Sequence, residues 1–158
     1  MAEIRYSTVG LDEINGVTKK VCHDVNATCR HLGHHETGHE GRTLGPLHAF
    51  CVANPNATVA YIHTKGSSSE RHPERQRRSR RALLRGLGGR GCVAAIVHNE
   101  ACDVCSAHFA AMPHQHVDGN MWLARCSYVA TLLPPVAFQL QMSASGKAPS
   151  AAARWRGG

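Results

Sequence analysis

Several groups of residues in this 158-residue chain have types and spacings that could do chemistry. His35-Glu36-Thr37-Gly38-His39 matches the His-Glu-x-x-His pattern of zinc hydrolases. That chemistry needs a helix, so that two imidazoles four residues apart share a face and the Glu can activate a zinc-bound water. The flanks argue against one. Gly33, Gly38 and Gly41 each weaken a helix by about 1 kcal/mol relative to Ala, no apolar stripe would dock it, and no third ligand follows. The expectation is a polar loop. Cys102-Asp103-Val104-Cys105 is a second metal candidate, a Cys-x-x-Cys turn able to hold structural zinc. A ribbon site would need a second such pair roughly 15 to 20 residues on, and Cys126 stands alone. A disulfide or buried thiols compete with zinc here. With seven Cys in the chain, full intramolecular pairing is impossible.

A third group is "VAYIHTKGS", residues 59–67. Its apolar, β-branched start reads as a buried strand that delivers His63 and Lys65 to its carboxyl end, with Gly66 permitting a tight exit. Ligands bind off the carboxyl ends of strands in open α/β sheets. A Lys there can pair with a diphosphate, and a His can shuttle a proton. The fourth group is "PHQHVDGNMWLARCSYVATLLPP", residues 113–135. His116 and Gly119-Asn120 make a polar turn that leads into a strand carrying Trp122 and Arg125. Asn offers a donor and an acceptor, and an indole face can pack on sugar C–H groups.

Charge is concentrated in one place. Net charge is +7, and eight of the 18 Lys and Arg are Arg71, Arg75, Arg77, Arg78, Arg80, Arg81, Arg85 and Arg90. This block reads as a basic helix opened by Pro73 and ended by "GLGGRG". Non-specific nucleic-acid binding follows from such a surface, although no aromatic residue interleaves for base stacking. No run of about 18 apolar residues exists, so no membrane span is expected. "MAEIRYSTVG" lacks the features of a signal peptide, so the sequence as written reads as cytoplasmic. A missing N-terminal segment would move that to the secretory pathway and give meaning to the Asn-x-Thr sequons at Asn26 and Asn56.

Elements must hold these groups in place. Ile4, Tyr6 and Thr8 alternate as a short strand. Leu11, Ile14, Val17 and Val21 recur as a weak helix. Residues 22–42 read as loop. Thr43 caps a helix with Leu44, Leu47, Phe50 and Cys51 on one face and Pro46 in its first turn. Strands follow at 58–63 and 121–125, with the basic helix between them. "CVAAIVH", 92–98, suits helix or strand, and residues 99–120 read as a long loop. "CSYVATLL" is a short helix stopped by Pro134 and Pro135. From Ser143 on, composition predicts disorder. Helices alternating with apolar strands predict one α/β domain over residues 1–142, with a small, mostly parallel sheet and long irregular loops, and a low-complexity tail over 143–158.

Tyr61, His63, Lys65 and Gly66, followed by an Arg-rich helix, and then His116, Gly119, Asn120, Trp122, Ala124, Arg125, Tyr128 and Leu133-Pro134, form two spaced blocks. Together they resemble a glycosyltransferase-like family of GT-A type that includes relatives of bacterial rhamnan synthesis protein F. The likeness spans roughly residues 40–138. It implies a GT-A-like domain that transfers a sugar from a nucleotide-sugar donor to a glycan acceptor. On that footing Lys65 binds substrate by neutralising the leaving diphosphate, His63 and His116 are the catalytic candidates, and Gly66, Gly119, Asn120, Trp122 and Arg125 also bind substrate. No Asp-x-Asp motif is present, so no divalent metal is assigned. The competing function is a non-catalytic module that binds zinc through Cys102 and Cys105 or an anion through the Arg-rich helix at 71–90.

Overall fold

A computed structural model of the chain describes residues 3–10, 20, 22–38, 40–64, 73–110, 112 and 116–144. Lys65, Gly66 and His39 lie outside these, as do nearly all of the expected helix at 11–21 and the chain from residue 145 on. The molecule is a mixed α/β domain of small sheets and several helices. No helix among the described residues is long and apolar enough to cross a membrane.

The stretch from 22 to 42, expected as loop, contains a strand. β1 (Glu3–Val9) and β2 (Thr28–His35) pair in parallel, and Leu32 is the extra residue of a bulge between the pairs Tyr6↔His31 and Ser7↔Gly33. The bulge resets the side-chain alternation, so His31 and His34 both reach the buried hydroxyl of Thr8. The distances are 3.3 Å from His31 Nε2 and 2.9 Å from His34 Nδ1. Cross-strand pairing thus gives the polar His-rich segment an extended form. His35, its last residue, is in a strand and Glu36 is in a bend. The helix that His-Glu-x-x-His chemistry requires is therefore not what His35 and Glu36 form.

α1 (Gly41–Ala53) begins two residues before the expected cap, with Glu40 at its N-cap. β3 (Thr58–Tyr61) follows, then α2 (Pro73–Leu87) and α3 (Arg90–His98), which settles "CVAAIVH" as helix. The expected long loop after it forms β4 (Val104–Ser106), β5 (Phe109–Ala110), β6 (His116–Val117) and a single 3-10 turn, Asp118–Asn120. β7 (Trp122–Arg125), α4 (Cys126–Val129) and α5 (Pro135–Ala144) complete the described chain. Pro135 opens α5 rather than merely ending its predecessor, since proline lacks only an N–H that a first turn leaves unpaired.

The main sheet is not mostly parallel. Its order is β3-β7-β4, and β7 runs antiparallel to both neighbours. β3 and β4 therefore run in the same direction, joined by the α2–α3 crossover, but β7, the strand expected to follow β3, is antiparallel to it. The chain then reverses through the β5–β6 pair, and β7 inserts between the two parallel strands. The only parallel pairing among the described residues is β1 with β2.

Alternation along β7 divides the core. Trp122 and Ala124 face a cluster built on Cys51, Cys126 and Val129, with Leu47, Phe50 and Val59 packed around it. Arg125 turns the opposite way, toward α3. Its guanidinium donates to the carbonyls of Ile96 (2.6 Å), Asn99 (3.2 Å) and Cys102 (3.1 Å). These bonds satisfy carbonyls at the α3 C-terminus that the helix itself leaves open. Nε and Nη2 of Arg125 are thus engaged with the fold, at the end of β7 away from the Gly119 turn.

Three disulfides fasten the elements. Cys51–Cys126 joins α1 to α4 through the core, Cys92–Cys105 joins α3 to β4, and Cys22–Cys29 ties a helical turn to β2. Cys105 is therefore no thiolate ligand, and the Cys102–Cys105 zinc pair is overturned. Cys102 is the free cysteine among the described residues. No group of three or more His, Cys, Asp or Glu among them is placed to hold a metal ion.

Candidate functional site

β3 ends at Tyr61 and β7 begins at Trp122, and the two residues are paired across the sheet. Antiparallel pairing brings the exit of one strand beside the entrance of the other. His63, two residues past β3, therefore meets the turn just ahead of β7. Its Nε2 donates to the carbonyl of Gly119 at 2.8 Å. A carbonyl only accepts, so Nε2 carries the proton, and in the neutral ring Nδ1 is the basic nitrogen.

The same turn is held from a third direction. Glu40, at the N-cap of α1, does not cap its own helix. Its Oε2 accepts from the Asn120 side-chain amide, and its Oε1 stands 3.5 Å from His63 Nε2. Both side chains are largely buried, 17% exposed for Glu40 and 22% for His63. The other end of the Asn120 amide accepts from the Trp122 indole N–H at 3.3 Å. Glu40, His63, Gly119, Asn120 and Trp122 thus form one connected network drawn from three segments.

Aromatic rings close the network from below. Tyr61 stacks on His63 with ring centroids 5.9 Å apart and tilts against Trp122 at 5.5 Å. Trp122 also packs on the Cys51 cluster. The indole, expected as a sugar platform, is engaged with Tyr61 and the core, and it positions Asn120. Burial, with the Glu40 carboxylate adding to it, pushes the Tyr61 phenol far above its usual range. The unfolded phenol titrates near pH 10, so the stability due to neutral Tyr61 is complete below about pH 10 and is lost as pH rises toward its native titration. In an alkaline titration followed by ultraviolet phenolate absorbance, Tyr61 ionises only with unfolding, and Tyr61→Phe removes that late step.

Gly119 and Asn120 adopt left-handed backbone, with φ of 74° and 46°. Glycine enters that region freely and Asn tolerates it. α2 adds a second constraint at Gly119, because a Cβ built there would lie 2.5 Å from Leu83 Cδ1. Gly119→Ala is expected to cost about 3 kcal/mol, from backbone strain and overpacking together. Gly45→Ala is the contrasting variant. It lies within α1 where a Cβ meets nothing within 4 Å, and it gains about 1 kcal/mol from helix propensity. Urea unfolding of the two measures the difference.

His116 lies half-buried on β6, opposite Ala110, three residues ahead of Gly119 at the approach to the same turn. Arg125 is at the far end of β7. Lys65 and Gly66, which continue the chain from His63, lie outside the described residues. Glu40 escaped the sequence reading because the polar, His-rich stretch before α1 looked like loop. Its position just before a helical pattern, where acids favour the helix N-terminus, was the available signal. A separate depression of about 480 Å³ on α3, lined by Arg90, Val93, Val97 and His98 among others, shares no residue with the network.

Fold and network together define a disulfide-stapled mixed α/β domain with a Glu–His–Asn cluster at the exit of a strand. The chain belongs to the family described as a domain of unknown function (DUF8361), which matches residues 1–156. No curated protein and no solved structure matches it.

Proposed function

We propose that this domain transfers a sugar from a nucleotide-sugar donor to a glycan acceptor, in a GT-A-like setting, as the two spaced sequence blocks imply. One observation carries it. His63 and the Gly119-Asn120 turn, 56 residues apart in sequence, share a direct hydrogen bond, and Glu40 engages both side chains.

His63 is the general base in this scheme. Nδ1 takes the proton of the acceptor hydroxyl as its oxygen bonds to the sugar's anomeric carbon. The bond from that carbon to the nucleoside diphosphate breaks, and its electron pair leaves with the diphosphate. Gly119 O fixes the ring through Nε2–H, and the Glu40 carboxylate stabilises the imidazolium that forms. Asn120, clamped by Glu40 and Trp122, keeps its turn fixed beside the base, which is the positioning such reactions require. Lys65, two residues beyond His63, neutralises charge on the departing diphosphate.

Calorimetric titration with UDP and GDP tests the donor half of the scheme. Saturable binding that disappears in Lys65→Ala is the expected result. A flat titration across both nucleotides and a panel of their sugar conjugates overturns the proposal. The zinc-binding alternative loses its basis with Cys105 held by Cys92.

A further inference from the structure

α2 shows one face to the domain and another to solvent. Leu83 and Leu87 are buried, and Leu83 reaches the Gly119 turn. On the opposite side Arg77, Arg78, Arg81 and Arg85 are all exposed, at successive steps of one, three and four residues. At 1.5 Å per residue they span about 12 Å of helix axis. Glu74 is the helix's one acid, and it lies 3.9 Å from Arg77 in an exposed pair that neutralises little.

Like charges at four-residue spacing, as in Arg77/Arg81 and Arg81/Arg85, each cost an isolated helix about 0.2–0.5 kcal/mol. A polyanion along this face reverses the sign of that cost. Guanidinium forks also match oxyanions in bidentate geometry. The ligand is therefore a polymer with repeated anionic groups.

Two observations choose among such polymers. α2 reads PERQRRSRRALLRGL, with no aromatic residue to stack on bases. The three disulfides belong to an oxidising compartment, and the sequon residues Asn26 and Asn56 are both exposed. The repeated anions carried by glycans in such a compartment are sulfates and uronates. We propose that the outward face of α2 docks an anionic polysaccharide, sulfate- or uronate-bearing, which would be the acceptor's class. Taking a glycan as the polymer rests on the sugar-transfer proposal above, but the docking itself requires no donor.

Binding of the full chain to dextran sulfate, polygalacturonate, neutral dextran and duplex DNA, across a salt series, tests this. Binding to dextran sulfate or polygalacturonate and not to neutral dextran is expected, and which of the two binds names the anion. The variant R77S/R78S/R81S/R85S, altered only at exposed positions, should keep its melting temperature and lose at least tenfold in affinity. Its log–log salt slope should flatten by about three, at roughly 0.7 per lost contact. The corresponding Lys variant should keep the slope and bind more weakly than wild type, for want of the guanidinium fork. Unchanged binding by the Ser variant, equal binding to neutral dextran, or displacement of the glycan by less than its own mass of duplex DNA overturns the proposal. If the glycan binds in this Arg-dependent way and UDP and GDP do not bind at all, the docking surface stands and sugar transfer falls.

Discussion

His63→Gln is expected to slow nucleoside-diphosphate release from a bound nucleotide sugar by about 10²–10⁴-fold, the range a general base contributes. Gln suits the test because its amide can still donate to the Gly119 carbonyl that His63 holds at 2.8 Å. The turn keeps its partner and the fold keeps its melting temperature, but no basic nitrogen remains. Glu40→Gln should reduce the rate less. It removes the charge that stabilises the imidazolium while leaving the base in place, and it preserves an acceptor for Asn120. UDP and GDP should bind both variants as they bind the wild type, because neither residue contacts the leaving group in the proposed scheme. The loss should therefore appear in kcat, and KM should stay near its wild-type value. Wild-type turnover in His63→Gln, measured by coupled detection of released UDP or GDP, removes His63 from the chemistry.

The largest effect on stability belongs to Cys51–Cys126. The two residues are fully buried and lie 75 residues apart in the chain. Closing a loop of that length restricts the unfolded chain by about 4 kcal/mol. Domains of this size hold only about 5–15 kcal/mol in total. Cys51→Ala/Cys126→Ala should therefore lose much of its stability, and in urea its midpoint should fall far below that of the wild type. Alanine is the right replacement, because serine would leave hydroxyls unpaired in an apolar cluster. Cys22→Ala/Cys29→Ala is the internal control. Its loop is only 7 residues and it lies outside the Cys51 cluster, so its expected cost is about 2 kcal/mol. Equal midpoints for the two double variants would show that loop length does not govern the effect.

The Cys51 pair also bears on the site. It joins α1, whose N-cap is Glu40, to α4, which follows β7 directly. Reduction should therefore loosen the mutual placement of Glu40 and Asn120 before β3 and β7 separate. His63 and Trp122 sit on the strand pair itself, and the backbone ladder from Thr58↔Arg125 to Tyr61↔Trp122 keeps them close.

Much of this architecture was legible in the residues. A period-two pattern marked β1, a β-branched run marked β3, a short apolar run marked β7, and Pro73 with the terminal glycines marked α2. Those signals are local, set by side-chain sterics within a few residues. The pairing of His63 with Gly119-Asn120 was approached through sequence blocks, and the strand ends do place these residues together. Three features depended on the tertiary structure, because each is decided by a distant partner. β2 is a strand because β1 lies beside it, although its own composition reads as loop. β7 is antiparallel to β3 because β4 and the β5–β6 pair, in a stretch that reads as loop, turn the chain back before it, whereas alternation of strands and helices predicted a mostly parallel sheet. Glu40 joins the network because α1 is docked, and stapled at Cys51, so that its N-cap residue reaches the Asn120 turn. Which side chains this chain could use for chemistry was written in its residue types. Which of them meet was decided by strand order and by covalent cross-links between segments 13 and 75 residues apart, distances over which local propensity carries no information.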